Sequence, residues 1–536
     1  MNRREFLQQL SILLASQPLT ACCVFSRTDH VKISSSVIVI DSHCHVFNAA
    51  DLPIAGFVKE VVLGNVKIPG ADTFFGLLLQ AFTDVTAPGY KAEKRRLKIL
   101  MNGGDQLKSL QGDWHREDKQ RADLFATSVN KFINDIHFRS FNKQLLSSEE
   151  REFHNAVLEE TGVSIEEKGL VDWFQKLIET SGLIGRYLLW GVKIVRFRYQ
   201  QVGDIRNTYP QVDLFTPAII DFDRWLYPYD GLGPNKARVS IPKQMELMKL
   251  ITKYTGGRFH PYISYDPLRD IETRREGETN GETFEYVKVA IEQQGAIGIK
   301  LYPPMGFRAY ENTGQNFCDA RTQSLGKKLD EALWGVYKYC NERQVPILAH
   351  TADSNYNSRC DGYSGRPHPK YWSKVLEAFP DLRINLGHFA THDYPDYSRN
   401  DWIKAIRELM LNEKYKHVYA DLSHVEKLSS EPYRKKFFEH LANFLKDDDL
   451  ENTAKLKSRL LYGSDWFMLA KEKISRRYFT HLVKQFDEYF GKETRNQFIG
   501  QNAVNFLGLK TGKNRERLEK FYSKQDISKP AWMAKL

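Results

Sequence analysis

Two imidazoles stand one residue apart in the run Val37-Ile-Val-Ile-Asp-Ser-His-Cys-His45. Successive side chains of a strand point to opposite faces, so Asp41, His43 and His45 share one face while Ser42 and Cys44 point toward packing helices. Imidazole is a common ligand of zinc and similar ions. Far along the chain, four more short apolar runs end in residues suited to the same chemistry: Ile-Gly-Ile-Lys300, Leu-Ala-His350, Asn-Leu-Gly-His388 and Tyr-Gly-Ser-Asp465. A lone His-X-His is more often a pair on a solvated strand. Here the residues before it, Val37 to Ile40, are continuously apolar, as a buried parallel strand requires.

Such distant residues meet only if the elements carrying them are arranged around a common centre. Eight β-like runs are predicted at 37–45, 214–221, 258–266, 296–302, 345–351, 383–389, 417–422 and 459–464. From the second run onward, helical apolar spacing alternates with them, at 244–254, 284–292, 325–342, 371–379, 402–412, 433–445 and 478–489. Short apolar strands alternating with longer helices give an α/β fold, and eight such units close as a (β/α)₈ TIM barrel. Barrel enzymes place their reactive groups at the C-terminal ends of the strands, where each candidate stands.

The alternation fails once. Between His45 and Leu214 no strand is legible, and a structureless loop of that length is improbable. The sequence predicts a long, mostly helical insertion over 51–210, above the barrel mouth. Its apolar segments 74–82 and 132–141 are expected to be helical, and its charged segments 91–96 and 147–152 to be solvated. The barrel unit is expected to span 37–508, with a tail at 509–536 forming a peripheral helix and a loose end.

A chain of 536 residues with 42% hydrophobic composition buries a sizeable core. The net charge of +10 is spread over helices, as in Lys327-Lys328 and Lys435-Lys436, with no basic run interleaved with aromatics. Nucleic acid is therefore not an expected partner. The start, Met1-Asn-Arg3-Arg4-Glu-Phe6-Leu7, resembles a twin-arginine export signal. The apolar stretch 10–15 is too short and polar to span a bilayer. Leu19-Thr-Ala-Cys22 resembles a bacterial lipobox, so 1–22 is expected to be a signal, 23–36 a linker, and Cys22 the lipidated anchor of an exported, membrane-attached lipoprotein. The remaining cysteines, Cys44, Cys318, Cys340 and Cys360, are too sparse for a disulfide scaffold and form no Cys-X-X-Cys; an exported compartment would permit a Cys318–Cys360 bridge.

The motifs Asp-Ser-His43-Cys-His45, Ile-Lys300-Leu-Tyr-Pro-Pro, Leu-Ala-His350-Thr, Leu-Gly-His388-Phe and Tyr-Gly-Ser-Asp465-Trp resemble the amidohydrolase superfamily. They are similar in particular to its amidohydrolase-related branch, which also contains metal-dependent decarboxylases. The ending Gly500-Gln-Asn-Ala-Val-Asn-Phe-Leu507 matches as well. The resemblance covers about 37–50 and 210–508 and leaves out the insertion. It implies that His43, His45, His350 and Asp465 hold one divalent metal, expected to be zinc, with His388 assisting catalysis. Asp465 can also accept a proton from activated water. Lys300 stays open: carbamylated, it would bridge two ions, with His350 and His388 holding the second; unmodified, it would hold a substrate carboxylate.

Tyr302 and Arg308 are candidates to line the substrate pocket. Asp41 is expected to orient a ligand, and Asp353 either to face substrate or to cap a helix. His260, His368, His392 and His424 are read as surface or supporting residues. The leading expectation is a metal-dependent hydrolase of an amide, ester or lactone-like bond in a small molecule. The alternatives are non-oxidative decarboxylation at the same site and, in another class, a non-catalytic exported lipoprotein that binds.

Overall fold

The computed structural model describes residues 31–63, 70–141, 146–161, 182–226, 236–275, 280–313, 315, 324–352, 365–390 and 394–536. Cys22, the signal at 1–22, Cys318, Cys360, Asp353 and His392 lie outside them.

The eight apolar runs are strands, each wholly buried: β1 Ile40–Cys44, β2 Leu214–Pro217, β3 Tyr262–Ser264, β4 Gly298–Leu301, β5 Ile347–His350, β6 Ile384–Gly387, β7 Val418–Asp421 and β8 Leu460–Leu461. Burial on both sides explains why they read as continuous apolar runs and not as alternating ones. β1 pairs with β2, and β3 through β8 pair in sequence order, all parallel. Backbone bonds bridge both remaining seams. Phe215 N donates to Arg258 O at 2.9 Å and Ile219 N to Tyr262 O at 3.0 Å, joining β2 to β3. Ser42 N donates to Tyr462 O at 3.0 Å and Asp465 N to His43 O at 2.7 Å, joining the ends of β8 and β1. This is the expected TIM-barrel arrangement, and it stacks the strand ends that carry His43, Lys300, His350, His388 and Asp465.

The interval between β1 and β2 is helical, with helices at Ala71–Asp84, Tyr90–Asn102, Gly104–Phe141, Ser148–Thr161, Leu183–Ile194 and Arg198–Thr208. It is packed against the barrel. Trp190 of the insertion lies 5.6 Å, centroid to centroid, from Phe467, which follows β8. Phe57 stacks on Phe222, which follows β2, at 5.9 Å. The expectation that 91–96 is solvated is corrected: Glu93 and Arg96 are buried. Glu93 pairs with the equally buried Arg198, and Arg96 stacks 3.9 Å from the Phe197 ring centre while pairing with Asp118. Charge in the sequence marked an internal ion cluster there. Among the described residues, no helix is long and apolar enough to cross a membrane.

The loose tail is also corrected. A helix at Lys513–Gln525 and a turn at Ala531–Lys535 carry Phe521, Tyr522, Trp532 and Met533 into a cluster with Ile38, Ile40, Leu214, Tyr262 and Ile297. These are residues at or just before strand starts, so the tail plugs the barrel end opposite the histidines. His260 belongs to this plug and not to the surface: its Nε2 shares a 2.6 Å hydrogen bond with the Tyr522 hydroxyl. His368 is likewise buried, where its Nδ1 accepts from Lys370 N at 3.0 Å and caps a helical turn.

Candidate metal centre

β1 and the residue that follows it deliver His43 and His45 to the barrel mouth, and a hydrogen bond fixes the tautomer of each. His45 Nδ1 lies 2.9 Å from Ala218 O. A carbonyl only accepts, so Nδ1 holds the proton and Nε2 the lone pair. Nε2 faces Asp465 Oδ1 at 3.1 Å. His43 Nδ1 lies 2.9 Å from Asp421 Oδ2, which leaves its Nε2 lone pair 3.9 Å from the same Asp465 Oδ1. Two nitrogen lone pairs and a carboxylate oxygen therefore converge in a buried space. The Lys300 ammonium, 3.0 Å from His43 Nε2, reaches one of these lone pairs, and a divalent ion placed among the three would satisfy them together. His43, His45 and Asp465 are one of the groups whose ligand atoms all lie within 4.8 Å of one another. The set fits a divalent ion with nitrogen and oxygen preference.

Electrostatics agree. Burial pushes the Asp465 carboxyl up, but the hydrogen bond from His424 and the other histidines around it outweigh burial and hold it well below the usual carboxylate range. His424 Nδ1 is 2.6 Å from Asp465 Oδ2, so this histidine supports the centre directly. Burial lowers His43, and Lys300 lowers it further; burial also takes His388 well below the ordinary imidazole value. Neutral imidazoles are the form that ligates metals. Lys300 Nζ stands 3.0 Å from His43 Nε2, and burial lowers its ammonium to about 8.

The residue that sequence reading missed is Asp421, the last of β7. It accepts from five donors: His43 Nδ1 at 2.9 Å, Asn385 Nδ2 at 2.8 Å, His388 N at 3.0 Å, Ser423 N at 3.2 Å and Ser423 Oγ at 2.5 Å. Burial pushes its carboxyl up, yet His43 beside it holds it far below the usual range. So saturated, Asp421 orients its neighbours. The signal was present, since Val-Tyr-Ala-Asp421 ends a strand in a carboxylate just as Tyr-Gly-Ser-Asp465 does. Asp41 does comparable work one layer deeper, accepting from Ser464 N at 3.0 Å and Ser464 Oγ at 2.6 Å, which fixes the backbone leading to Asp465.

The other candidates are placed as follows. His388 packs 4.6 Å from His43, ring centre to ring centre, and 4.4 Å from His350. His350 packs with its ring 4.4 Å from those of both His388 and Tyr302, and is not in the group of the three converging ligands. Tyr302 also meets Phe222 at 4.8 Å and the Lys300 ammonium at 5.6 Å. Arg308 is not brought into this cluster. Its guanidinium donates to Glu311 O on its own loop and lies over Tyr371. Five residues at these strand ends adopt the left-handed backbone region: His388, Phe389, Ala390, His424 and Asp465. Each costs of order 1–3 kcal/mol, a strain that clusters at functional sites.

Two glycines make room for His43. A Cβ on Gly463 would lie 2.8 Å from His43 Cβ, and one on Gly387 3.0 Å from the His43 ring. Gly463→Ala is expected to displace His43 and weaken zinc binding by about 10-fold or more, read in a chelator competition titration. A native affinity in that variant would show that His43 placement does not matter.

Asp266, just past β3, carries a pH prediction. Its Oδ1 accepts from Trp225 Nε1 and Leu268 N, both at 3.0 Å, while Oδ2 is buried with no partner among the described residues. Burial, and then Asp221, raise its carboxyl to about 7. An acid raised in the folded state costs stability as pH climbs from its unfolded value, near 4, toward 7. Asp266→Asn keeps the Oδ1 acceptor and removes that titration. Its stability relative to the native chain should therefore grow by about 2 kcal/mol from pH 5 to pH 8. Thermal melts across that range would show no such divergence if the carboxyl titrates normally.

A family model described as Amidohydrolase matches residues 205–509. Similar solved structures include an amidohydrolase from Burkholderia multivorans with bound zinc, at 11% identity and TM-score 0.35, covering 58% of this chain and 87% of that one. A putative metal-dependent hydrolase from Lactobacillus casei is 14% identical, with TM-score 0.35 and coverage of 68% and 91%. The 5-carboxyvanillate decarboxylase of Novosphingobium aromaticivorans, with bound manganese, is 14% identical, with TM-score 0.36 and coverage of 58% and 80%. No curated protein matches the chain.

Proposed function

Since this chain belongs to the amidohydrolase family, we propose that it is a metal-dependent hydrolase of an amide, ester or lactone-like bond in a small molecule. The observation that carries this reading is the convergence of His43 Nε2, His45 Nε2 and Asp465 Oδ1, each held in acceptor form. These three would hold the ion, expected to be zinc, with His350 as the fourth ligand. When bound, such an ion polarises a carbonyl and lowers the pKa of water toward neutrality.

The protein's own groups do the rest. Asp465, held ionised, accepts a proton from the attacking water. His388, neutral, with its ring 4.6 Å from that of His43 and 4.4 Å from that of His350, would take up the proton released from water and pass it to the leaving group. Tyr302 and Phe222 wall the substrate side. The saturation of Asp421 supports a single ion, because its lone pairs are already committed to five donors.

Decarboxylation on the same residues is the second reading. Lys300 favours it, as a buried cation at the mouth that suits a substrate carboxylate. A panel of esters, lactones, amides and aromatic or enoic acids, assayed with and without zinc and with CO₂ detection, separates the readings. Metal-dependent turnover without CO₂ release supports hydrolysis. Activity of a metal-free His43→Ala, Asp465→Ala double variant would sink both enzymatic readings and leave the binding-module alternative. Export with lipidation at Cys22 belongs to the same proposal, and radiolabelled palmitate incorporation lost in Cys22→Ala would test it.

A further inference from the structure

One side chain just past β7 has appeared so far only as a donor to Asp421. Ser423 is 2% exposed, and its hydroxyl touches three groups: Asp421 Oδ1 at 2.5 Å, His388 Nδ1 at 2.9 Å and His43 Nδ1 at 3.1 Å. A hydroxyl has one proton to give and two lone pairs with which to accept. Asp421 is a carboxylate that accepts only, so the 2.5 Å contact takes the serine proton. His43 Nδ1 directs its proton to Asp421 Oδ2, at 2.9 Å. What remains to Ser423 toward His388 is a lone pair.

We infer that Ser423 is a positioning residue that locks His388 in its Nδ1-protonated tautomer, so that the Nε2 lone pair becomes the proton-transferring atom. The same carboxylate fixes the His388 backbone, since His388 N donates to Asp421 Oδ1 at 3.0 Å. Asp421 thus sets the position of His388 directly and its tautomer through Ser423. The left-handed φ of 65° at His388 is held by this pair of contacts. The inference rests on the proposed role of His388 in proton transfer for its functional consequence, but the proton positions are independent of that role.

Neutron diffraction from deuterated, zinc-loaded crystals reads them directly. The expected result is deuterium on Ser423 Oγ directed at Asp421 and on His388 Nδ1, with none on His388 Nε2. Deuterium on Nε2 with Nδ1 bare would overturn the assignment. The kinetic arm uses p-nitrophenyl acetate as the probe. Ser423→Ala should lower kcat by about 10- to 100-fold with KM and zinc content unchanged, and Ser423→Thr should restore kcat to within about threefold. A native kcat in Ser423→Ala would show that the serine positions nothing of consequence. If the native protein showed the expected deuterium pattern but hydrolysed no ester, amide or lactone, the tautomer lock would stand and the hydrolase reading would fall.

Discussion

Asp465→Asn is expected to leave a folded chain that retains under about a tenth of its zinc after dialysis and loses at least about 10³-fold in turnover. Asparagine is the demanding choice for this position. It matches aspartate in shape, and it tolerates the left-handed φ of 53° found there better than most residues do. Its amide oxygen still accepts from His424. What it lacks is the negative charge facing His45 Nε2 at 3.1 Å and His43 Nε2 at 3.9 Å. Without that charge a divalent ion meets two neutral imidazoles and an amide, and the site no longer has a carboxylate to take the proton of the attacking water. Metal analysis by mass spectrometry, a thermal melt and the substrate panel form one experiment. A full equivalent of zinc with activity within tenfold of native would remove Asp465 from the centre. The same variant separates structure from chemistry, because its backbone contact, Asp465 N to His43 O, does not involve the side chain.

Much of this centre was legible in the chain because a parallel barrel turns a one-dimensional rule into a three-dimensional one. A ligand-type residue closing an apolar run lies at the mouth, whatever the sequence distance. That rule found His43, Lys300, His350, His388 and Asp465. Applied evenly, it would have found Asp421 as well. Ser423 and Asn385 are of another kind. Serine and asparagine carry no metal-ligand signature, and their roles appear only when the Asp421 carboxylate saturates against them. Arg308 shows the limit of proximity in sequence: it follows Lys300 closely, yet the loop at Pro303–Met305 turns it onto Glu311 and Tyr371. The tail misled for a related reason. A Lys-rich segment reads as solvated, but Phe521, Tyr522, Trp532 and Met533 are spaced to present one apolar face while the lysines take the other.

Arg198→Met is expected to lower stability by about 3–5 kcal/mol, a loss that concerns the insertion and reaches the site. Arg198 is 1% exposed and joins Asp51 and Glu93, both also buried. Asn48 enters the same cluster, donating to Glu93 Oε1 at 2.9 Å while its backbone N donates to Asp51 Oδ2 at 3.0 Å. Three chain segments meet here: the loop that leaves His45, the helix at Tyr90–Asn102 and the helix at Arg198–Thr208. Methionine fills the volume but leaves two buried carboxylates without the arginine that bonds both. Burial raises both Asp51 and Glu93, with Arg198 opposing it, so removing the arginine lets burial act unopposed. Raised acids bind protons in the folded state that they release on unfolding, so the deficit should shrink as pH falls and be largest at pH 7 and above. Calorimetric melts at pH 5 and pH 8 would show this as a drop on the order of 5 °C at the higher pH and a smaller one at the lower. Adding Asp51→Asn and Glu93→Gln should recover part of the loss at pH 8, because the burden lies in the unpaired charges. A deficit independent of pH and untouched by those changes would mean that Arg198 contributes packing alone. The cluster begins at Asn48, three residues beyond His45, so zinc affinity measured on the same samples would show how firmly the insertion holds the loop behind that ligand.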